Sequence, residues 1–285
     1  MTTKRPAFLS RHEQFRSVPS TNDIVRAWLI DGTPEVCLAV ADEQTAGRGR
    51  SGRSWLAPSG AALLLSLGFE PVYLEPDRLW RLAAVVALAM ADAAEEVAGL
   101  PAGKLKLKWP NDIVVEASET PAGVRKIAGV LGETEGAGTP KVTAVVGIGL
   151  NADWPRDRFP TELADSMTSL SEVSHGRPID SDALLDGFLG RLEPRVVALR
   201  DGHFDVAGWH DRQVTTGRTV RVEMPDGTSS AVRSVGVDGA TGALIVADNS
   251  GVERELLAGE VTRVRLAAPE RDGPGAASGR RGVTQ

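Results

Sequence analysis

The order of apolar and polar residues along the chain predicts a mixed region of strands and helices, followed by a small all-β region. Between residues 17 and 215, short apolar runs typical of strands alternate with longer amphipathic stretches typical of helices. Strands are predicted over residues 36–41, 61–69, 105–109, 113–116, 126–133 and 142–150. Helices are predicted over residues 20–30, 77–98 and 180–199. This alternation predicts one large domain with its own core.

Capping signals support the ends of these predicted helices. Ser20-Thr-Asn-Asp23 has the spacing of a capping box, which predicts that the Ser20 side chain caps the first helix. Gly99 follows the Ala- and Leu-rich second helix and is expected to end it. Asp180 or Ser181 is the expected cap of the third helix.

The pattern changes after residue 216. Short β-prone runs are separated there by Pro-Asp-Gly, Asp-Gly and Asn-Ser-Gly turns, which predicts a small all-β module, with a barrel as its expected form. We therefore expect an irregular segment over 1–16, a main domain over 17–215, a β module over 216–266 and a disordered tail over 267–285, which is rich in Gly, Pro, Ala and Arg.

Composition narrows the possible functions. The chain has 285 residues, with 32 Lys and Arg against 38 Asp and Glu, so its net charge of −6 is a poor basis for nucleic-acid binding. Its one cysteine, Cys37, lies in an apolar run and is expected in the core. The four histidines form no metal-binding pattern. Without an apolar run long enough for a signal peptide or a membrane span, we expect a cytoplasmic soluble protein.

The heptad Gly47-Arg-Gly-Arg-Ser-Gly-Arg53 predicts a flexible loop that closes on an anionic ligand. Arginine binds carboxylate or phosphate in a bidentate manner, and glycine lets backbone N–H groups approach an anion. The heptad also matches the dinucleotide fingerprint Gly-x-Gly-x-x-Gly, but Pro58 and a strand follow where that fingerprint requires a helix. A P-loop motif is absent, and an RNA-binding Arg-Gly segment is usually longer and repeated.

Three further signals each have an ordinary structural explanation when taken alone. Lys108-Trp-Pro-Asn-Asp112 resembles a strand end with a tight turn, in which Trp109 is a core residue. Lys126, at the start of a predicted strand, could be a solvated edge lysine. Asn151, after Gly147-Ile-Gly-Leu, could be a turn residue.

Together these segments resemble the ordered motifs of the biotin protein ligase family, also called biotin–[acetyl-CoA-carboxylase] ligases or holocarboxylase synthetases. The resemblance covers residues 18–266 and rests on five segments in the order of the family. These are Ser20-Thr-Asn22, Gln44-Thr-Ala-Gly-Arg-Gly-Arg-Ser-Gly-Arg53, Lys108-Trp-Pro-Asn-Asp112, Lys126-Ile-Ala-Gly-Val-Leu-Gly-Glu133 and Gly147-Ile-Gly-Leu-Asn151. Five motifs in this order are far more specific than any one of them.

The resemblance implies an α+β fold and a two-step reaction. The expected fold is a mixed, largely antiparallel sheet flanked by helices, like that of class II synthetases, with a small C-terminal SH3-like β-barrel. The expected enzyme forms biotinyl-5′-adenylate from biotin and ATP, with Mg²⁺ accompanying ATP. It then transfers biotin to a lysine of a biotin carboxyl carrier domain of acetyl-CoA carboxylase or another acyl-CoA carboxylase.

The resemblance also implies roles for individual residues. Lys126 and Arg48 are the expected catalytic residues, with Lys126 reaching both the biotin carboxylate and the α-phosphate. The expected biotin site consists of Ser20, Thr21, Asn22, Gln44, Gly47, Arg48, Gly49, Arg50, Lys126 and Gly129. The expected ATP and adenylate site consists of Arg50, Arg53, Trp55, Lys108, Asn111, Asp112 and Asn151. Within it, Trp55 is expected near the adenine, Asn151 is expected to bond to the adenine, and Asp112 is a candidate metal ligand.

Elementary electrostatics agrees with these implied roles. A carboxylate and a triphosphate repel each other strongly in a cleft of low dielectric constant, so fixed cations must bring them together. The biotin carboxylate is itself the nucleophile, so a chain without an evident Ser–His or Cys–His pair can still be an enzyme. The adenylate hydrolyses readily, so a loop that orders over it would protect it by excluding water.

Some features depart from the family pattern or leave alternatives open. The loop between Asp112 and Lys126 is longer and more acidic than the usual hairpin. Only 19 residues precede Ser20, so we expect no DNA-binding domain of the repressor type and no DNA binding. No membrane partner is expected, and a homodimer is left open. A lipoate–protein ligase is an alternative, although its Arg-Arg-x-Ser-Gly-Gly-Gly-like stretch is missing here. A binding protein that sequesters biotin or its adenylate is another.

Overall fold

The computed structural model describes residues 7–248 and 250–267, and a seven-stranded mixed sheet forms its larger part. The spatial order of the strands is β1-β2-β3-β7-β6-β5-β4. The pair β1–β2 is parallel and every other pair is antiparallel, so the predicted largely antiparallel sheet is confirmed. The strands are β1 (Arg11–Phe15), β2 (Cys37–Ala41), β3 (Ala62–Phe69), β4 (Leu105–Lys108), β5 (Asp112–Glu116), β6 (Val124–Glu135) and β7 (Thr143–Asn151).

Five helices accompany this sheet within the described residues. They are α1 (Thr21–Ile30), α2 (Trp80–Ala98), α3 (Leu170–Val173), α4 (Ser181–Arg200) and α5 (Val206–Asp211). Helix α2 is rich in alanine and leucine and buries most of its length between α4 and the sheet, which forms the main core. It ends as predicted at Gly99, whose φ of 66° suits glycine best. The carboxylate of Asp180 caps α4 by accepting from the N–H groups of Asp182 and Ala183.

Two expectations near the N-terminus are wrong. The segment expected to be irregular over 1–16 contains β1, whose polar residues give no strand signal but pair in parallel with β2 from the Arg11–Cys37 register onward. An edge strand can carry such residues because its pairing is decided by the neighbouring strand. Ser20 precedes α1, yet in the described structure its side chain makes no capping bond. The Gln44 carboxamide oxygen instead accepts from the Thr21 N–H at 2.8 Å.

A second, five-stranded antiparallel sheet confirms the predicted C-terminal β region. Its spatial order is β11-β10-β9-β8-β12, which brings the last strand beside the first. The strands are β8 (Thr219–Glu223), β9 (Ser229–Val237), β10 (Leu244–Ala247), β11 (Glu253–Leu256) and β12 (Arg263–Leu266). The exact domain boundaries stay predictions. Apart from Ala267, the tail expected over 267–285 lies outside the described residues.

The two sheets are joined by specific contacts around Trp109. Its backbone N–H donates to the Thr215 hydroxyl at 2.9 Å, and its indole N–H donates to the Gly242 carbonyl at 2.9 Å. Trp109 is 3% exposed, so it is the core residue that its strand-end position suggests. These bonds fix the C-terminal sheet against the end of β4, next to the residues that follow Trp109 in the sequence.

Two smaller expectations also have an outcome. Cys37 is fully buried as predicted, and burial raises the pKa of its thiol to about 11. No helix in the described part of the chain has the length and apolar character needed to cross a bilayer.

Candidate active site

One large cavity opens on a face of the seven-stranded sheet. Its volume is about 840 Å³, which falls in the range of small-molecule sites. Its wall is built from the first turn of α1, the loop over residues 47–53 (the Gly-Arg loop), strands β3 to β7 and the last strand, β12. Apolar side chains interleave with the polar ones, among them Leu65, Val114, Val124, Leu131 and Ile148. The cavity can therefore bury the apolar part of a ligand and still form hydrogen bonds with the polar groups of that ligand.

Glycines in β7 make room for the side chains that cover the sheet here. Gly147 and Gly149 lie two residues apart and so face the same side of the strand. A Cβ atom on Gly149 would lie 2.5 Å from the ring of Trp55, and one on Gly147 would collide with the Asn22 carboxamide. The motif Gly147-Ile-Gly149 is thus a floor on which Trp55 and Asn22 rest.

A β-bulge places Lys126 over the same floor. The register between β5 and β6 shifts between Ile113 and Val114, so one extra residue, Ile127, enters β6. Val124 and Lys126 face the cavity before the bulge, and Gly129 and Leu131 face it afterwards. Without the bulge, the alternation of the strand would turn Lys126 and Gly129 to opposite sides.

Asp112 holds the two lysines of the cavity in place. Its carboxylate lies 2.6 Å from the Lys126 Nζ and 3.1 Å from the Lys108 Nζ. Burial alone would raise the pKa of Asp112, but the charges and hydrogen bonds of Lys126 and Lys108 outweigh burial and lower that pKa below its usual range. Asp112 is therefore ionised, and its single charge is shared between two ammonium groups. The cluster keeps an excess positive charge that faces the cavity.

A chain of hydrogen bonds fixes the start of α1 against the sheet. The buried Ser66 hydroxyl on β3 lies 2.7 Å from the Thr21 hydroxyl and 2.5 Å from the Asn22 Oδ1. The Thr21 hydroxyl also lies 3.1 Å from Gln44 Oε1, and the Asn22 amide donates to Glu133 at 2.6 Å. Each of these side chains is oriented by a hydrogen bond to another. The polar wall of the cavity, formed by Thr21, Asn22 and Gln44, is therefore preorganised.

The Gly-Arg loop forms part of the cavity wall through Arg48, Gly49, Arg50 and Arg53. A bridge between Arg48 and Ser54 and a bond from the Gly49 N–H to the Arg53 carbonyl at 2.7 Å give the loop a hairpin shape. Ser51, with a φ of 54°, and Gly52, with a φ of 72°, form the reversal at its tip. Two of its three arginine side chains, Arg48 and Arg50, bind to distant parts of the chain.

Each loop arginine has a different partner. The Arg48 guanidinium makes two bonds to the Asp23 carboxylate, while Arg50 donates to the carbonyls of Ala258 and Val261 in the C-terminal sheet region. Arg53 donates back to the Arg50 carbonyl. Burial, with the neighbouring charge of Arg53, lowers the pKa of Arg50. The loop is thus tied on one side to α1 and on the other to the second sheet.

Trp55, at the end of the loop, lies between the loop and the floor. Its ring lies beside Gly149 of β7 and Gly129 of β6, and the Lys126 Nζ is 5.2 Å from the ring centroid. A cation at this distance from an indole face is in the range of a cation–π contact. Trp55 therefore connects the loop to the lysine on β6.

The structure brings nearly all of the sequence-predicted site residues to one cavity. Those that line it are Ser20, Thr21, Asn22, Gln44, Arg48, Gly49, Arg50, Arg53, Trp55, Lys108, Asn111, Asp112, Lys126 and Gly129. Gly47 and Asn151 do not line it. Gly47 packs against the Trp55 carbonyl, and the fully buried Asn151 donates its amide to the Thr168 carbonyl at 2.9 Å. This placement gives no support to a contact between Asn151 and adenine.

Sequence reasoning missed residues that shape the site from outside its motifs. Ser66 and Asp23 orient the polar wall and the loop, and Arg263 and Arg265 of β12 add cations to the far wall. The one sequence signal for these residues is Ser66 itself, a polar residue inside the otherwise apolar strand β3. Among the described residues, no group of three or more His, Cys, Asp or Glu side chains can hold a metal ion. The carboxylate of Asp112, the candidate metal ligand, is paired with the ammonium groups of Lys108 and Lys126.

Comparisons with known proteins agree with this geometry. The profile of the biotin/lipoate A/B protein ligase family matches residues 14–151, which carry the α1, loop and Lys126 elements of the cavity. A biotin–[acetyl-CoA-carboxylase] ligase of Mycobacterium tuberculosis is 32% identical over 200 residues, which are 70% of this chain and 67% of that protein. A bifunctional ligase/repressor BirA of Bacillus spizizenii is 29% identical over 83% of this chain and 69% of its own. The chain thus spans about two thirds of the length of these relatives.

Solved structures extend the similarity to the C-terminal sheet. The biotin protein ligase from Aquifex aeolicus, in complex with biotin and ATP, has a TM-score of 0.72 and 26% identity. That similarity covers 90% of this chain and 99% of the Aquifex chain. A biotin protein ligase from Leishmania major in complex with biotin has a TM-score of 0.51 and 22% identity, which concerns the fold alone. By sequence and by structure, the chain belongs to the biotin/lipoate A/B protein ligase family, and within that family it is a biotin protein ligase.

Proposed function

We propose that the chain activates biotin with ATP and then transfers the biotinyl group to a lysine of a biotin carboxyl carrier domain. The single observation that carries this proposal is the position of Lys126, whose ammonium group lies in a cavity roofed by arginines and floored by glycines. The complex of the Aquifex relative with biotin and ATP supports these two ligands. The names of the acetyl-CoA-carboxylase ligases support a carboxylase domain as the acceptor.

The first step joins two anions. A biotin carboxylate oxygen attacks the α-phosphorus of ATP, the bond between that phosphorus and the bridging oxygen breaks, and pyrophosphate leaves. Lys126 is the group best placed to contact both anions, since it faces the cavity beside Lys108 and the Gly-Arg loop. Fixed cations act most strongly where charge develops on the α-phosphoryl oxygens, because they require no reorganisation during the reaction.

The second step uses the mixed anhydride as an acyl donor. The neutral amine of the acceptor lysine attacks the acyl carbon, an amide bond forms, the acyl C–O bond breaks, AMP leaves and the amine releases a proton. No nucleophilic side chain of this protein is consumed in either step. The protein contributes orientation, charge and exclusion of water from the adenylate.

The two ligands are assigned to the cavity by their chemistry. The ureido ring of biotin has one carbonyl and two N–H groups, which suit the polar side chains of Ser20, Thr21, Asn22 and Gln44. The apolar residues Leu65, Val114 and Ile148 suit its thiophane ring and valeryl chain. Arg50 and Arg53, with Arg263 and Arg265 across the cavity, are assigned to the phosphates, and Trp55 to the adenine. Lys108 and Asn111 complete the nucleotide side.

Magnesium is assigned to the substrate. Asp112 accepts from two ammonium groups, and it belongs to no group of three or more His, Cys, Asp or Glu side chains that could hold a metal among the described residues. Because Mg²⁺ typically keeps several waters and binds through phosphates, we assign it to the triphosphate of ATP. Asp112 is then a residue that orients two lysines.

Incubation of the purified chain with biotin, MgATP and a biotin carboxyl carrier domain tests the proposal. The expected result is a mass gain of one biotinyl group on the acceptor lysine, without a gain when ATP is omitted. A matched control is Lys106→Ala against Lys126→Ala, because Lys106 lies on β4 but does not line the cavity. Only the Lys126 variant should lose the product.

Pyrophosphate release, ligand binding and the identity of the group on the acceptor decide between the remaining candidates. Competition with lipoate for pyrophosphate release separates a biotin ligase from a lipoate ligase, since a biotin ligase should be unaffected by excess lipoate. Binding of biotin without pyrophosphate release would indicate a sequestering protein and would contradict the proposed catalysis. Lipoylation of the acceptor would contradict the proposed substrate.

A further inference from the structure

The Gly-Arg loop is anchored to α1 by one carboxylate. Arg48 Nη1 lies 2.8 Å from Asp23 Oδ2, and Arg48 Nη2 lies 2.7 Å from Asp23 Oδ1, so the pair is bidentate. A second acceptor, Glu133 Oε2, lies 3.4 Å from Arg48 Nη2. Planar bidentate pairing fixes the orientation of a guanidinium as well as its position.

Asp23 sits next to the residues assigned to biotin. It lies in the first turn of α1, directly after Ser20, Thr21 and Asn22, whose side chains line the cavity. Asp23 itself does not line the cavity and points to the loop. One turn of helix therefore supplies both a wall of the binding site and the anchor of the loop above it.

The electrostatics of the pair supports an anchoring role. The hydrogen bond from Arg48, followed by the charges of Arg48 and Arg26, lowers the pKa of Asp23 despite some desolvation. Asp23 is thus ionised and available to Arg48 throughout the neutral range. Arg26 also pairs with Asp23, at 2.9 Å, and with Glu133 and Glu135 at 3.0 Å, so it neutralises the carboxylates that surround Arg48.

We propose that Asp23 is a positioning residue that holds Arg48 over the cavity and so retains the biotinyl-adenylate until the acceptor lysine arrives. The proposal rests on the function proposed above and assigns the retention of the intermediate to a contact within the protein. A glycine-rich loop loses much conformational freedom when it orders, and a bidentate ion pair offsets part of that cost. Glu133 adds to the same contact while it orients Asn22.

The test measures adenylate that escapes from the full-length protein. Biotin and α-labelled MgATP are supplied without an acceptor, and free biotinyl-adenylate is separated from bound adenylate over time. Asp23→Asn keeps the size of the side chain but removes one charged acceptor, so release should accelerate about fivefold, the scale of a well-formed exposed ion pair. Asp23→Glu should recover part of the retention.

Glu135→Gln is the matched control. Glu135 belongs to the same surface network and pairs with Arg26, but it has no contact with Arg48 among the ion pairs of the described residues. Its release rate should equal that of the wild type. An acceleration as large as that of Asp23→Asn would mean that any charge loss on this surface loosens the loop, and it would overturn the specific role of Asp23.

A double variant distinguishes a positioning role from a merely structural one. If Asp23 acts through Arg48, then Asp23→Asn should change release in the wild type but not in an Arg48→Ala background. Equal effects in both backgrounds, or wild-type release from Asp23→Asn, would overturn the proposal. Failure of the proposed function is distinguishable, because the wild type would then form no adenylate at all.

Discussion

The cavity contains two sets of cations that are held in different ways. Lys108 and Lys126 meet on one carboxylate, Asp112, within neighbouring strands of the sheet, and their side chains are 14% and 29% exposed. Two of the loop arginines are held by partners far away in sequence: Arg48, whose side chain is 37% exposed, by Asp23, and Arg50 by carbonyls near the C-terminal sheet. The first set is built into the core sheet, whereas the second set lies on the hairpin of the Gly-Arg loop, which lines the same cavity.

This difference suggests a division of labour between the two sets. Groups that stabilise charge in a transition state gain most from a rigid setting, because they then need no reorganisation. Groups that retain an intermediate must release it later, so they belong on a segment that can open. We therefore expect substitutions in the sheet to affect the formation of the adenylate and substitutions in the loop to affect its retention.

The largest effect is expected for Lys126→Ala. Loss of the ammonium that faces both anions should slow adenylate formation by about 10³-fold, the scale for removal of one preorganised charge-stabilising group. Biotin affinity should fall much less, because the polar wall and the apolar lining are intact. Single-turnover formation of adenylate and equilibrium binding of biotin measure the two quantities. Equal losses in both would make Lys126 a ground-state ligand only.

Asp112→Asn should destabilise the protein by about 3 kcal/mol at pH 7, because two ammonium groups then face each other without a carboxylate. Since the folded-state pKa of Asp112 is lowered, this stabilisation is present above the ordinary carboxyl pKa of about 4 and disappears only as pH falls through the lowered value. Denaturant unfolding of both proteins at pH 7 and pH 5 measures it.

The gap between wild type and Asp112→Asn should be the same at pH 7 and pH 5. A gap that closes by pH 5 would contradict the lowered pKa of Asp112. Asp165→Asn is the control, because Asp165 is 91% exposed and its contact with Arg156 is 3.8 Å long. It should change stability by less than about 0.5 kcal/mol.

Gly149→Ala should weaken biotin and nucleotide binding by about tenfold. Its added methyl group would lie 2.5 Å from the Trp55 ring, so the ring must leave the floor, a change on the scale of 1–3 kcal/mol for overpacking. Titration of both ligands measures the loss. Gly236→Ala, in β9, is the control, since its added Cβ has no heavy atom within 4 Å. Unchanged binding in Gly149→Ala would argue against Trp55 as part of the site.

Arg48→Ala should have the mildest effect on chemistry. Adenylate should form at a rate within about threefold of the wild type. Its release rate should rise by about tenfold, which corresponds to roughly 1.4 kcal/mol of lost contacts. Chromatographic separation of free and bound adenylate measures the release. A variant that forms adenylate slowly but retains it would reverse the proposed division between sheet and loop.

The sequence motifs identified the residues on the sheet that line the cavity. They did not predict how all of these residues are arranged on the strands. The segments around Lys108 and Lys126 lie in apolar strands, and the pattern of those strands fixes their side of the sheet, apart from the bulge at Ile127. A bulge adds one residue without any change in composition, so alternation alone could not place Lys126 and Gly129 on one face.

The residues that support the site could not be predicted from the local pattern of apolar and polar residues. Ser66 matters because it pairs in register with Gly147, the glycine on which Asn22 rests. Asp23 matters because a loop 25 residues away returns to it. Similarly, β1 forms because β2 offers it an edge, although its own residues are mostly polar. In each case the partner is distant in sequence, and only the folded chain identifies it.

Biotin-dependent exchange of labelled pyrophosphate into ATP tests the central claim most directly, because it reports the reversible joining of the two anions and needs no acceptor protein. The wild type should catalyse exchange only when biotin is present, Lys126→Ala should lose it while it still binds biotin, and Arg48→Ala should keep it. Exchange that persists in Lys126→Ala, or that proceeds without biotin, would contradict the claim that the lysine on the sheet brings the carboxylate to the α-phosphate.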